Sequence, residues 1–263
     1  MGELDELVER VAEEFGGTLD AIAPGLLEGL YLRGSLASGD VAPASDVDVT
    51  AVLARRPDAN ELAALSYAVS RADAAAPGRA LDGFCCVAGD LRRPASECPP
   101  VPVVRDGAVV GEGTHDVNPA SWAELAAFGV TLAGRPIELM GVHTDAAELR
   151  AFARQSLATT WADAARTLAS GWLAAGRRDD AAPRYVLGAA RTLSLWRTGE
   201  LLSKGAAGRW ILDDLDPYWH PLAREALRAR ETPDAPTAYE RPTQRGRDIR
   251  DFVAWASGQG APA

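Results

Sequence analysis

The stretch whose reading decides the fold is Gly34-Ser35-Leu36-Ala37-Ser38-Gly39-Asp40-Val41-Ala42-Pro43-Ala44-Ser45-Asp46-Val47-Asp48. An apolar segment at 29–33 precedes it and another at 47–53 follows, so Gly34 and Ser35 stand where a strand turns into a short helix. Free backbone amides and a hydroxyl at such a turn suit an anion such as a triphosphate. Asp46 and Asp48 lie two apart at the entry to the next strand, which predicts that both carboxylates share one face, their Cα atoms roughly 6–7 Å apart. Carboxylates about 5 Å apart repel by about 3 kcal/mol at an effective dielectric near 20, and a cation between them removes the conflict. Hard oxygen ligands with room for water and phosphate oxygens suit Mg²⁺. The chemistry predicted from these residues is in-line displacement at the α-phosphorus of a metal-bound triphosphate.

Outward from this segment the pattern is α/β. A helix is predicted over residues 3–15, ended by Gly16-Gly17, then strands at 29–33 and 47–53, a helix at 60–74 and a strand at 80–87. Prolines 94, 99, 100 and 102 and several glycines predict loops and short edge strands between Asp90 and Pro119. Beyond Pro119 the periodicity is wholly helical. Leu149, Phe152, Leu157, Trp161, Leu168 and Trp172 fall on one helical face, and further helices are expected at 184–198, 205–215, 219–231 and 245–257. The expected architecture is α+β: a small mixed sheet with helices over residues 1–140, followed by an α-helical bundle over 141–263, with a ligand cleft between them.

The composition narrows the function classes. With 263 residues, 47% of them hydrophobic, the chain can bury a real core. A net charge of -10 argues against nucleic acid or an anionic membrane as the main partner and favours a cationic one. Cys85, Cys86 and Cys98 match no zinc spacing and are expected to be buried free thiols. Residues 3–15 are amphipathic and acidic, unlike a secretion signal, and no apolar run reaches the length of a membrane span, so a cytoplasmic location is expected. Arginine outnumbers lysine 26 to one, and the single lysine is Lys204.

The Gly-Ser, nine residues, Ser-Asp-x-Asp pattern resembles the nucleotidyltransferase superfamily related to DNA polymerase β. Asp116-Val117-Asn118, Gly129-Val130-Thr131-Leu132-Ala133-Gly134, Val186-Leu187 through Arg191, Thr198-Gly199 and Lys204 extend the resemblance to streptomycin/spectinomycin-type aminoglycoside adenylyltransferases. The resemblance implies an N-terminal nucleotidyltransferase domain and a helical domain that closes on substrate and nucleotide. It implies Asp46 and Asp48 as Mg²⁺ ligands, Gly34, Ser35 and Ser45 as triphosphate contacts, and Arg191 and Lys204 as phosphate-holding residues. Asp82 stands where such relatives carry a catalytic carboxylate, one methylene longer, that takes the proton of the acceptor hydroxyl; the shorter Asp82 is expected to act as that base, through water, or as a further metal ligand. The implied reaction is Mg²⁺-dependent transfer of AMP from ATP to a small polycationic acceptor, an aminoglycoside or aminocyclitol. Adenylylation of a protein or RNA, or a non-catalytic nucleotide-binding module, are the alternatives.

Some positions depart from the pattern. An acidic residue expected just ahead of the Arg191 helix falls at Ala181, with Asp179 and Asp180 close by, and an interdomain tryptophan has no counterpart. Arg33 replaces an aromatic residue and is read as either touching the triphosphate or solvated. Trp161, Trp172, Trp196 and Trp210 are read as core, and His115, His143 and His220 as structural.

Overall fold

The structure, a computed structural model, describes residues 2–43 and 45–260 and divides into two compact units, Met1–Asp145 and Ala146–Ala263. Among the described residues no helix is long and apolar enough to cross a membrane.

The first unit is built on a six-stranded mixed sheet with strand order β5-β4-β3-β2-β1-β6. Its strands are β1 (Leu27–Arg33), β2 (Val47–Leu53), β3 (Leu81–Val87), β4 (Val101–Arg105), β5 (Ala108–Gly113) and β6 (Val130–Gly134). Only β2 and β3 run parallel, joined by helix α3 (Ala59–Ala74); every other neighbouring pair is antiparallel. Alternation along the strands sends Leu30, Leu32, Val47, Val49 and Leu81 to one face, into a core with Val11, Phe15 and Leu19 of α1 (Glu3–Ile22) and Leu65 and Val69 of α3. Tyr31, Val52, Phe84 and Cys86 face the other way, under Trp122 and Leu125 of α5 (Pro119–Phe128). Two short helices complete the unit, α2 (Gly34–Ser38) and α4 (Ala88–Leu91).

Two sequence expectations are corrected here. Helix α1 runs through Gly16-Gly17 to Ile22, because Phe15 and Leu19 are both buried against the sheet and their burial outweighs the roughly 1 kcal/mol that each helical glycine costs. The chain turns instead after Ala23, where Gly25 adopts φ 71°. The region after Pro119 is not wholly helical either: β6 closes the edge of the sheet against β1. Its five residues carry no buried alternation of their own, so only pairing with β1 makes them a strand.

The second unit is helical throughout: α6 (Ala146–Ser156), α7 (Ala162–Ala175), α8 (Gly188–Thr198), α9 (Lys204–Asp214), α10 (His220–Glu231) and α11 (Pro242–Gly258). Single π-helical turns, Leu157–Trp161 and Pro183–Leu187, lead into α7 and α8. Leu168, Leu187, Leu193, Ile211, Leu222 and Phe252 form its core. Trp210 is buried there and Trp161 and Trp196 pack against it, whereas Trp172 lies beneath the guanidinium groups of Arg247 and Arg250. A buried charge network crosses the unit: Glu225 accepts from Arg228 and from Arg245, and Arg245 also reaches Asp179. Asp180 is held by Arg178. Both carboxylates near the expected acceptor-grip position therefore have arginine partners.

Candidate active site

Strand register assembles the polar row. Arg33 pairs with Asp48 across the antiparallel β1–β2 ladder, and Asp48 pairs with Asp82 across the parallel β2–β3 ladder. Residues opposite each other in a ladder point to the same side, so these three side chains emerge together on the Phe84–Trp122 face, opposite α1 and α3. Val47 is fully buried on the other face. Asp46 and Asp48 flank it, and period-2 alternation would turn their carboxylates the same way if the extended backbone of β2 continued back through Asp46. Asp46 is exposed just ahead of β2, and Asp48 is half-buried at its start.

Gly34 makes room for Asp48. Its backbone is left-handed at φ 69°, and a Cβ built on it would overlap the Asp48 carboxylate, lying only 2.8 Å from Cγ. Any other residue would fill the space that the carboxylate uses. The short helix α2 that follows carries Ser35 in its first turn and has no side-chain cap.

Ser45 is buried. Its hydroxyl accepts from the Ala42 N–H at 2.9 Å, and its carbonyl accepts from Arg79 Nη1 at 2.5 Å. It organises the loop that presents Asp46. Asp82 is likewise anchored: one carboxylate oxygen accepts from the Asp106 N–H at 2.7 Å. Asp106 and Gly107, at φ 49° and 73°, form the two-residue turn between β4 and β5, and Asp82 ties that turn to the row.

The residues that sequence reasoning missed surround Arg33. This arginine is 4% exposed rather than solvated; its Nη2 donates to Asp116 Oδ2 at 3.0 Å and lies 3.8 Å from Asp48 Oδ1. Its guanidinium sits over the Phe84 ring, 5.4 Å from the centroid. The run Asp116-Val117-Asn118 splits three tasks: Asp116 meets Arg33, Val117 enters the core, and Asn118 caps α5 by accepting from the Ala120 and Ser121 N–H groups. No periodic signal marks Asp116, because its partner is 83 residues away.

The electrostatics follow from this crowding. Burial pushes the Asp48 carboxyl up to about 6; Arg33 opposes the shift, and Asp116, Glu124 and Asp82 add to it. For Arg33, burial works against the charge, but Asp48, Asp116 and Glu124 more than restore it and the guanidinium stays protonated. A carboxylate that resists carrying its charge alone gains most from a cation. Among the described residues no group of three His, Cys, Asp or Glu side chains is arranged to hold a metal by itself. A hard cation would complete its shell with water and phosphate oxygens around one or two carboxylates, a mode that fits Asp46 and Asp48.

In the helical unit, Arg191 on α8 donates from Nε to the Leu202 carbonyl at 2.8 Å. Ser203 accepts from the Ala206 N–H to cap α9, and Lys204 opens that helix on the surface. The structure thus brings Arg191 beside the segment that carries Lys204. The charge divides sharply between the units. Residues 1–145 hold 10 of the 27 Lys and Arg and 23 of the 37 Asp and Glu, a net of -13, while residues 146–263 hold 17 and 14, a net of +3.

Residues 150–257 match the family profile described as aminoglycoside adenylyltransferase, C-terminal domain. The crystal structure of spectinomycin adenyltransferase AAD(9) from Enterococcus faecialis with ATP and spectinomycin is similar in fold, with a TM-score of 0.66 at 12% sequence identity. The likeness covers 93% of this chain and 98% of that one. No curated protein matches the sequence.

Proposed function

We propose that this chain is an aminoglycoside adenylyltransferase-like nucleotidyltransferase that transfers AMP from ATP to a hydroxyl of a small polycationic acceptor, an aminoglycoside or aminocyclitol antibiotic, a reading supported by the profile match over residues 150–257 and by the likeness in fold. The observation that carries this reading is the in-register row of Asp48 and Asp82, with Asp46 two residues before Asp48 and Gly34 leaving space for the Asp48 carboxylate.

Asp46 and Asp48 would hold Mg²⁺, which would supply Lewis-acid polarisation and charge neutralisation to the triphosphate. Gly34 and Ser35 approach the triphosphate with backbone amides and a hydroxyl. Ser45 supports them from behind, its hydroxyl holding the Ala42 N–H. Arg191 and Lys204 supply positive charge to the phosphates, Lys204 as a compact point charge. Asp82, one oxygen tied to the Asp106 N–H, takes the acceptor's hydroxyl proton on its other oxygen as the nucleophile attacks. The excess of acid in residues 1–145 attracts a polycationic acceptor, and the net positive helical unit suits an anionic nucleotide.

Pyrophosphate release is the direct test, with Mg-ATP and a panel of aminoglycosides and aminocyclitols, followed by mass spectrometry of the product. An acceptor heavier by one adenylyl group, AMP less a water, supports the reading. Absence of pyrophosphate with every member of the panel removes the antibiotic assignment.

A further inference from the structure

Arg33 directly precedes Gly34, and its guanidinium is buried beside the Asp48 carboxylate. It is 4% exposed, and its Nε has no hydrogen-bond partner among the described residues. The charge is shared unequally, with Nη2 at 3.0 Å from Asp116 and at 3.8 Å from Asp48. Asp116 occupies a left-handed conformation at φ 62°, which few non-glycine residues adopt, and in that conformation its carboxylate meets Arg33. The Phe84 ring closes the remaining side of the guanidinium.

We propose that Arg33 is a positioning residue, the built-in counter-cation of Asp48, and that Asp116 restrains it so that the divalent metal enters with the nucleotide rather than before it. The inference rests on the assignment of Asp46 and Asp48 as metal ligands. A divalent ion arriving alone at Asp48 meets a fixed, desolvated positive charge at ion-pair distance, and that repulsion weakens its binding. The same ion arriving on a triphosphate brings net negative charge, so the guanidinium then favours the complex. Asp116 sets the balance: by drawing Arg33 towards itself it keeps the Asp48 carboxylate from closing into a full ion pair that would exclude the metal. Coupling between nucleotide and metal is reciprocal, so Arg33 also strengthens nucleotide binding when metal is present.

The test is Mn²⁺ binding to the full chain, followed by electron paramagnetic resonance, with and without a non-transferable ATP analogue that carries a methylene bridge between the α and β phosphorus atoms. Wild-type protein is expected to bind Mn²⁺ weakly alone and at least about tenfold more tightly with the analogue. Arg33→Met, which keeps the aliphatic length and removes the charge, is expected to tighten Mn²⁺ binding without nucleotide and shrink the difference between the two conditions. Asp116→Asn, which keeps the backbone conformation that asparagine tolerates, is expected to do the opposite, because Arg33 is released to Asp48. A purely structural role would weaken binding in both variants.

Arg33→Met protein that binds Mn²⁺ no more tightly than wild type overturns the proposal, as does an Asp116→Asn affinity that is unchanged or higher. Should Arg33→Met fail to fold, the Asp116→Asn difference between the two conditions decides: the proposal enlarges it, whereas a structural loss weakens binding alike with and without the analogue. Wild-type protein that takes up no Mn²⁺ even with the analogue overturns the two-carboxylate site itself, an outcome distinct from uptake that neither variant alters.

Discussion

Gly34 and Asp48 share one space: the volume that a side chain on Gly34 would fill is taken by the Asp48 carboxylate. The first glycine of the motif is therefore required twice, once for its left-handed φ of 69° and once for the acid opposite it. Gly39, which ends the same short helix at φ 75°, has nothing within 4 Å of its virtual Cβ. Gly34→Ala is expected to lower stability by at least about 1 kcal/mol and turnover by two orders of magnitude or more. Gly39→Ala, with strain of the same backbone type, should cost about 1 kcal/mol and leave turnover within a few-fold. Chemical denaturation and pyrophosphate release, measured on both variants, separate the two requirements.

Asp48 sets function against stability. Its carboxyl sits at about 6 instead of 3.8, so between those values the folded chain binds a proton that the unfolded chain has released. Stability then falls as pH rises through that window, and above it the ionised group costs up to about 3 kcal/mol. Asp48→Asn is expected to raise the melting temperature at pH 8 in the presence of a chelator, with the gain disappearing towards pH 4, and to abolish transfer. Thermal scans across pH check the sign; a variant less stable than wild type at pH 8 contradicts it.

For Asp82 two tasks can be separated. Asparagine keeps an oxygen for the Asp106 N–H but cannot take a proton, so Asp82→Asn should leave the melting temperature within a few degrees and reduce turnover by about 10² to 10⁴. Asp82→Ala should lose about 1 kcal/mol of stability as well. Full turnover in the asparagine variant would remove Asp82 from catalysis.

Lys204 and Arg191 differ in what they support. Lys204 is exposed at the first position of α9, so Lys204→Met should leave stability within about 0.5 kcal/mol and raise KM for ATP. Arg191→Met also loses the bond to the Leu202 carbonyl, so it should lower stability by about 1 kcal/mol besides weakening ATP binding. Initial-rate kinetics at varied ATP, with unfolding curves alongside, distinguish the two outcomes.

Glu225 is the anchor of the helical unit. Burial raises its pKa, but hydrogen bonds from Arg228, Arg245 and Thr237 outweigh that and hold it below the ordinary value. That stabilisation is present above the unfolded pKa and is lost as pH falls through the folded one, so acid should unfold the unit. Glu225→Ala leaves buried Arg245 without one of its two carboxylates and should cost about 3–5 kcal/mol. Circular dichroism during denaturation measures it.

Much of the framework was legible from residue order. The strand expected at 47–53 is β2 to the residue, and the helices expected at 60–74 and 205–215 are α3 and α9 within a residue. In each, an apolar period coincides with a local start or stop signal, such as the Asp58 cap that accepts from the Asn60 and Glu61 N–H groups. Gly16-Gly17 misled because a local stop signal was overridden by burial on either side. Strand β6 was hidden because its hydrogen bonds go to a strand about a hundred residues earlier.

The sequence by itself determined the local motif: two acids at a spacing of two after a glycine-serine turn, and a lone lysine beside a predicted helix. Those features are local, because spacing along an extended chain dictates which side chains share a face. Only the tertiary structure decided what surrounds them. Arg33 is separated from Asp116 by 83 residues, and its side chain could have been solvated or buried. Strand pairing and the closure of α5 over that face bury it, and burial makes the same guanidinium a strong, fixed charge instead of a screened one.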